Sequence, residues 1–256
     1  MELFKSSNPT LTQKIFDASA NNEALLQGTM TVRGTMNKFG FLMLMVLGGA
    51  TYTWHLFENH NQQMMATLMG VGIFGGLICA IATVFKPHWA QYVAPAYGIL
   101  EGFALGGISA IMNQAFKTTY PGLVMQAVGL TFGVAFSMFL LYNFRIINAT
   151  EKFKSMVISA TMGIAIFYGI SMLVRMFGVD MPFMYNSSWL GIGISLFVVA
   201  IAALNLIIDF DMIEQGANQN APKYMEWYGA FGLLVTIVWL YLEILKLLSR
   251  IAGRRD

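Results

Sequence analysis

Three carboxylic acids lie inside or at the end of long apolar stretches of the sequence: Glu101, Asp209 and Glu243. A charge in the middle of a membrane helix costs about 2.5 to 3.5 kcal/mol on insertion scales, so each acid needs a partner or water. Proton uptake by an acid, or its pairing with a cation, is therefore the chemistry that these residues indicate.

The surroundings of Asp209 suggest that it faces other helices. Asn205 lies one helical turn before Asp209 and points the same way, whereas Asp211 is rotated by about 200° and shares a face with Glu214. We therefore expect Asp209 to face the bundle and Asp211 to face the lipid headgroups. Asn205, Asp211 and Glu101 are further candidates for polar positions inside the membrane or along a pore.

Two of these acids also have simpler interpretations. Lys246 follows Glu243 by three residues and could neutralise it within one helix. Glu101 lies mid-helix beside glycines, where a hydrogen bond to a neighbouring helix would account for it. Gly102 and Gly106, four residues apart, predict a close approach of another helix backbone.

Other chemistry is poorly represented. The single cysteine, Cys79, and three histidines are too few and too scattered for a thiolate metal site, and the methionines are spread as apolar filler. We find no HExxH motif, no GxGD-like aspartyl pair and no Ser/His dyad within helices, so we expect no enzyme. A net charge of +2 gives no broad basic surface for nucleic acid.

The elements that position these acids follow from composition. The chain is 57% hydrophobic and 11% charged, with a mean hydropathy of +0.61, which is typical of membrane proteins. Runs of about 20 apolar residues, long enough to cross a bilayer, predict an all-α bundle of transmembrane helices. The runs are Phe39 to Phe57, Met64 to Phe85, Tyr92 to Phe116, Gly122 to Tyr142, Met156 to Phe177, Trp189 to Ile208 and Tyr228 to Leu248.

Residues 1–37 differ from the rest, because they are polar, and we predict a flexible cytoplasmic tail followed by a seven-helix transmembrane domain over residues 38–256. Basic residues in the tail and after the fourth run favour the cytoplasm. An odd number of crossings then places the carboxyl terminus outside, which conflicts with the basic cluster there: Lys246, Arg250, Arg254 and Arg255.

This topology brings two cations, Lys86 and Arg145, to the predicted level of Asp209. An ion pair between Asp209 and either cation would break when the acid is protonated, which would make it a pH-dependent latch. A permanent structural ion pair is the alternative.

Several segments carry a family resemblance: SSNP near the start, MTVRGTMNKFG, PAYGILEGFALGGIS, ALNLIIDFDMIEQGA and APKYMEWYGAFGLLVTIVWLYLEILKLLSRI. Together they resemble the transmembrane Bax inhibitor motif family, also called Bax inhibitor-1-like, and in particular a bacterial branch. The resemblance covers nearly the whole chain. It implies a multi-pass protein of the bacterial inner membrane, with the last helix central.

The resemblance also implies a function, since better-known relatives let calcium leak across membranes in a pH-sensitive way. Their pH sensor is a pair of acids, which falls here on Asp209 and on Glu243, a Glu in place of the more familiar Asp. Two carboxylates that approach closely share a proton and suit calcium as oxygen ligands.

Geometry leaves the pairing open. If the last helix starts at Tyr228, Glu243 lies about 22 Å along it from the cytoplasmic edge, where Asp209 is expected. Either Pro222 to roughly Gly232 lies along the membrane interface, or the acids do not work as a pair.

Beside the leak channel, a regulator that binds an integral membrane protease or another partner through the tail remains the alternative function. No cofactor is expected, and the oligomeric state is open.

Overall fold

The computed structural model describes residues 28–178 and 188–254, which are almost entirely helical. Within them no β-strand occurs, and Thr29 and Pro222 form an isolated antiparallel bridge. A 3-10 turn, Pro87–Trp89, precedes the third long helix. The long helices are α1 (Val32–Glu58), α2 (Gln62–Phe85), α3 (Ala90–Ala115), α4 (Leu123–Asn143), α5 (Glu151–Met176), α6 (Trp189–Asn218) and α7 (Met225–Ala252).

All seven helices are long and apolar enough to cross a membrane, which confirms the predicted seven-helix architecture. Several begin at polar caps that satisfy their first backbone N–H groups: Thr31 accepts from the amide of Gly34, and Thr150 from that of Phe153. Gly122, before α4, has φ +79°, a left-handed conformation that glycine adopts without strain.

The ends of the helices depart from the apolar runs. The α6 helix continues to Asn218, ten residues beyond the predicted end at Ile208, so that Asp209 and Asp211 lie inside a helix of 30 residues. The α7 helix begins at Met225, within the segment Pro222 to Gly232 that was expected to lie along the membrane interface, and it runs unbroken to Ala252. Hydropathy detects the part of a helix that suits hydrocarbon and misses its polar continuation.

The predicted tail lies mostly outside the described residues, which start at Gly28. Its last part is structured: residues 28–31, here called the strap, run beside the α6–α7 connection, and α1 begins at Val32. The Met30 amide donates to the Ala221 carbonyl at 2.7 Å, and the Lys223 amide donates to the Gly28 carbonyl at 3.1 Å. The predicted boundary at residue 37 is therefore too late, because backbone hydrogen bonds hold the strap.

The described chain divides into two compact units. The first contains residues 28–114 and 209–235, and the second contains residues 115–178, 188–208 and 236–254.

In the first unit, glycines set the packing of α1 and α2 on α3. A Cβ added at Gly102 would lie 3.0 Å from Gly49 Cα and from the Ala50 amide nitrogen, both on α1. A Cβ at Gly72 of α2 would lie 2.8 Å from the amide nitrogen of Ala104 on α3. The close helix approach predicted at Gly102 is confirmed.

In the second unit, buried aliphatic residues of α5 and α6 form a core of Ile164, Val198 and Ile201. Tyr168 of α5 and Trp239 of α7 pack against this core while remaining partly exposed. This core thereby positions the Tyr168 ring, with its hydroxyl group directed towards α7.

Burial distinguishes the helices from one another. Of the most apolar 18 residues of α7, 67% are buried, whereas only 17% of the corresponding residues of α2 are buried. Large apolar side chains such as Phe74, Ile78 and Phe136 are exposed, which suits contact with lipid tails. The last helix is thus the most buried of the seven.

Candidate functional sites in the apolar helices

Glu243 lies in α7, nearly buried, and belongs to a polar cluster with Tyr168 and Lys246. The Tyr168 hydroxyl donates to the Glu243 carboxylate, with Oη at 3.0 Å from Oε1 and 3.3 Å from Oε2. Lys246 Nζ donates to the same hydroxyl at 2.8 Å and lies 3.7 Å from Glu243 Oε2. The intrahelical neutralisation by Lys246 is therefore present, and Tyr168 joins the two charges.

Helical spacing and packing produce this cluster. Glu243 and Lys246 are three residues apart and so share one face of α7. Tyr168 reaches them from α5, 75 residues earlier in the chain, and its ring centroid lies 4.4 Å from Lys246 Nζ. Sequence analysis missed Tyr168, because only tertiary packing brings it to Glu243.

Arg250 extends the polar face of α7 by a further turn. Its guanidinium donates to the buried Gly191 carbonyl and, at 2.6 Å, to Ser195 Oγ, both on α6. Only 6% of Arg250 is exposed, although the sequence analysis grouped it with the basic cluster at the carboxyl terminus.

The predicted conflict over the carboxyl terminus becomes smaller once these contacts are included. Arg250 is buried and Lys246 is ion-paired, so neither is a free flanking charge of the kind that orients a membrane protein. The Arg254 guanidinium lies 3.4 Å from the centroid of the Trp189 ring. Arg255 falls outside the described residues.

Asp209 lies in α6 with no exposed surface. Asn205, one turn earlier, is also buried, and its amide donates to Thr161 Oγ1 and to the Ile201 carbonyl, each at 2.8 Å. Asp211 is half-buried and accepts a hydrogen bond of 2.5 Å from Gln215 in the next turn. Burial agrees with the expected inward orientation of Asp209, whereas its pairing with Glu243 stays a prediction.

The two candidate latch cations each contact an aromatic ring. Lys86 Nζ lies 4.1 Å from the ring centroid of Trp89. The Arg145 guanidinium lies 5.4 Å from the ring centroid of Tyr142. The backbone of Arg145 has a φ of +55°. A latch between Asp209 and Lys86 or Arg145 stays a prediction.

Glu101 lies half-buried on α3 and shares a side-chain hydrogen bond with Tyr97, one turn earlier. A Cβ added at Gly76 of α2 would lie 3.2 Å from Glu101 Oε2, so this glycine leaves room for the carboxylate. The Tyr97 ring packs edge-on against Phe231 of α7 with centroids 4.9 Å apart. The hydrogen bond to Glu101 thus comes from a residue of its own helix, Tyr97.

Another buried carboxylate, Glu226, was missed by sequence analysis. It has no exposed surface, and it accepts hydrogen bonds from the Thr31 amide at 3.0 Å and from the Thr31 hydroxyl at 2.9 Å. It also pairs with Lys38 and, at 2.7 Å, with Lys223. We call these four residues the Glu226 clamp, which ties the start of α1 to the start of α7.

The clamp depends on Gly34 as well, since a Cβ there would collide with the Glu226 carboxylate. Only the three-residue spacing of Lys223 and Glu226 could have indicated part of it from the sequence. Thr31 lies 195 residues from Glu226, beyond the reach of any local pattern.

In the described part of the chain, no group of three or more His, Cys, Asp or Glu side chains could hold a metal ion. A calcium site at Asp209 and Glu243 would involve only two acids, and it stays a prediction. The acids are instead buried in helices of membrane-spanning length.

Seven apolar helices with ionisable groups inside them define a multi-pass membrane protein. The chain belongs to the Bax inhibitor-1-like family, since the family model described as Bax inhibitor 1 like matches residues 8–253. No curated protein and no solved structure gave a match.

Proposed function

We propose that this protein is a pH-sensitive cation leak channel of the bacterial inner membrane, with calcium as the transported ion and Asp209 and Glu243 as the proton-sensing acids. The observation that carries the proposal is Glu243, which is only 6% exposed in an apolar helix, accepts a hydrogen bond from Tyr168 and forms an ion pair with Lys246. Ionisable groups inside a membrane are costly, and they commonly mark ion or proton pathways.

The chemistry of a carboxylate supplies the pH response. An ionised acid attracts a cation and holds its basic partner, whereas a protonated acid does neither. The same holds for the fully buried Asp209, which would attract a cation when ionised and not when protonated. Family membership supports the proposal, because the resemblance implies a pH-sensitive calcium leak.

Calcium flux into proteoliposomes at pH 6, 7 and 8 tests the proposal. We would compare the native protein with Asp209→Asn and Glu243→Gln, each of which removes one ionisable acid with little change in shape. Glu151→Gln is the matched control, because the Glu151 side chain is 79% exposed and pairs with Lys154 at the start of α5.

We expect the native protein to show a pH-dependent flux, and the two buried substitutions to flatten its pH response while the control keeps it. Flux no greater than that of empty liposomes at every pH would refute the channel. An unchanged pH response in both Asp209→Asn and Glu243→Gln would refute the role of these acids.

A further inference from the structure

We infer that Lys246 is a tethered cation at Glu243, held in place by the Tyr168 hydroxyl, and that a transported cation must displace it to reach the carboxylate. The inference rests on the proposed function, because it takes Glu243 as a point that the transported cation meets. It adds Lys246 and Tyr168 as residues that set how strongly a cation binds there.

The first step is the indirect geometry of the ion pair. Lys246 Nζ lies 3.7 Å from Glu243 Oε2, longer than the 2.7 to 3.2 Å of an N–H···O hydrogen bond. The Tyr168 hydroxyl bridges the gap, since it accepts from Nζ at 2.8 Å and donates to Oε1 at 3.0 Å. The ammonium thus neutralises the carboxylate while its hydrogen bond goes to the uncharged Tyr168 hydroxyl.

The second step is mobility. The Lys246 side chain is 35% exposed, whereas that of Glu243 is 7% exposed, so the cation is the more accessible member of the pair. Lysine carries its charge on a flexible four-carbon stem with rotatable donors. Lys246 can therefore swing away from Glu243 without movement of either helix.

The third step is the neighbouring charge. Arg250 lies one turn beyond Lys246 on the same face of α7 and is fixed by Gly191 and Ser195. Its positive charge disfavours movement of the Lys246 ammonium towards it and so favours the position beside Glu243.

These steps predict competition between Lys246 and a free cation. Lys246→Met keeps much of the apolar stem and removes the charge, so a calcium ion would meet an unneutralised Glu243. Tyr168→Phe removes the bridging hydroxyl but keeps the ring that lies 4.4 Å from Lys246 Nζ. It should weaken the hold on the ammonium without abolishing it.

The experiment measures equilibrium binding of radioactive calcium to the purified full-length protein in detergent at pH 8. We expect Lys246→Met to bind calcium about tenfold more tightly, within the range usual for coupling between two sites, and Tyr168→Phe to show a smaller gain. The double variant Glu243→Gln with Lys246→Met should lose the gain. Lys246→Arg keeps the charge and should bind as the native protein does.

Lys154→Met is the matched control, because Lys154 also follows its acid partner by three residues and is itself nearly buried. It should leave calcium binding unchanged. Unchanged or weaker binding in Lys246→Met would overturn the inference, as would a gain that persists without the Glu243 carboxylate.

The binding assay separates this inference from the proposed function. If no variant leaks calcium in proteoliposomes but Lys246→Met binds it more tightly, the channel fails and the tethered cation stands. If the native protein leaks calcium and Lys246→Met neither binds it more tightly nor leaks faster, the tethered cation alone fails.

Discussion

Replacement of Glu226 by Gln tests whether the Glu226 clamp stabilises the protein. The amide keeps one oxygen, which can still accept from the Thr31 amide and hydroxyl. Its NH2 group, however, replaces the oxygen that pairs with Lys38, so two donors would face each other. The substitution therefore removes a charge and introduces a mismatch at a position with no exposed surface.

The cost follows from the separate contacts. The Lys223 side chain is 44% exposed, so its ion pair contributes under about 1 kcal/mol. Lys38 is only 20% exposed, and a hydrogen bond to a charged group contributes about 1.5 to 3 kcal/mol. We expect the free energy of unfolding to fall by about 2 to 4 kcal/mol. For a chain of this size the melting temperature should then fall by roughly 5 to 15 °C.

Thermal unfolding in detergent, followed by tryptophan fluorescence, measures this change. Trp227 is a local reporter, because its ring lies 5.4 Å from Lys38 Nζ. Glu151→Gln, in the exposed ion pair with Lys154, should change the free energy of unfolding by less than about 1 kcal/mol. A Glu226→Gln melting temperature equal to that of Glu151→Gln would refute the reasoning.

Two further predictions use the same melting assay. Gly106→Ala places a methyl group 2.7 Å from Ala50 Cα and should lower stability by about 1 to 3 kcal/mol, whereas Gly40→Ala, with nothing within 4 Å, should leave it equal or raise it. Equal shifts would contradict the glycine contact. Arg250→Met leaves the Gly191 carbonyl and the Ser195 hydroxyl without this donor and should cost about 2 to 4 kcal/mol. A change below about 1 kcal/mol would contradict that prediction.

The number of helices could be predicted because each apolar run matches the thickness of a bilayer. The helix ends could not, since the polar end of α6 up to Asn218 is held by backbone hydrogen bonds that hydropathy does not detect. Thr31 is a polar N-cap of a kind that is readable in principle, but the apolar run that signals the helix starts only at Phe39.

For the candidate sites, only contacts between residues of the same helix could be predicted. The spacing of Glu243 and Lys246 already indicated an ion pair, and the structure contains it. Tyr168 and Thr31 are 75 and 195 residues from the acids that they bind, so folding alone brings them there. Arg250 was misjudged because a basic residue near a chain end usually flanks the membrane, whereas here two acceptors on α6 bind it.

The Glu226 clamp has a consequence for biogenesis. Glu226 lies on α7, so Lys38 of α1 and Thr31, the N-cap of α1, leave the ribosome long before their acceptor is made. The Glu226 clamp cannot close until the start of α7 has been made. A chain stopped before α7 would leave the Lys38 ammonium without this partner, and such a chain would differ from the finished protein at its first helix as well as at its last.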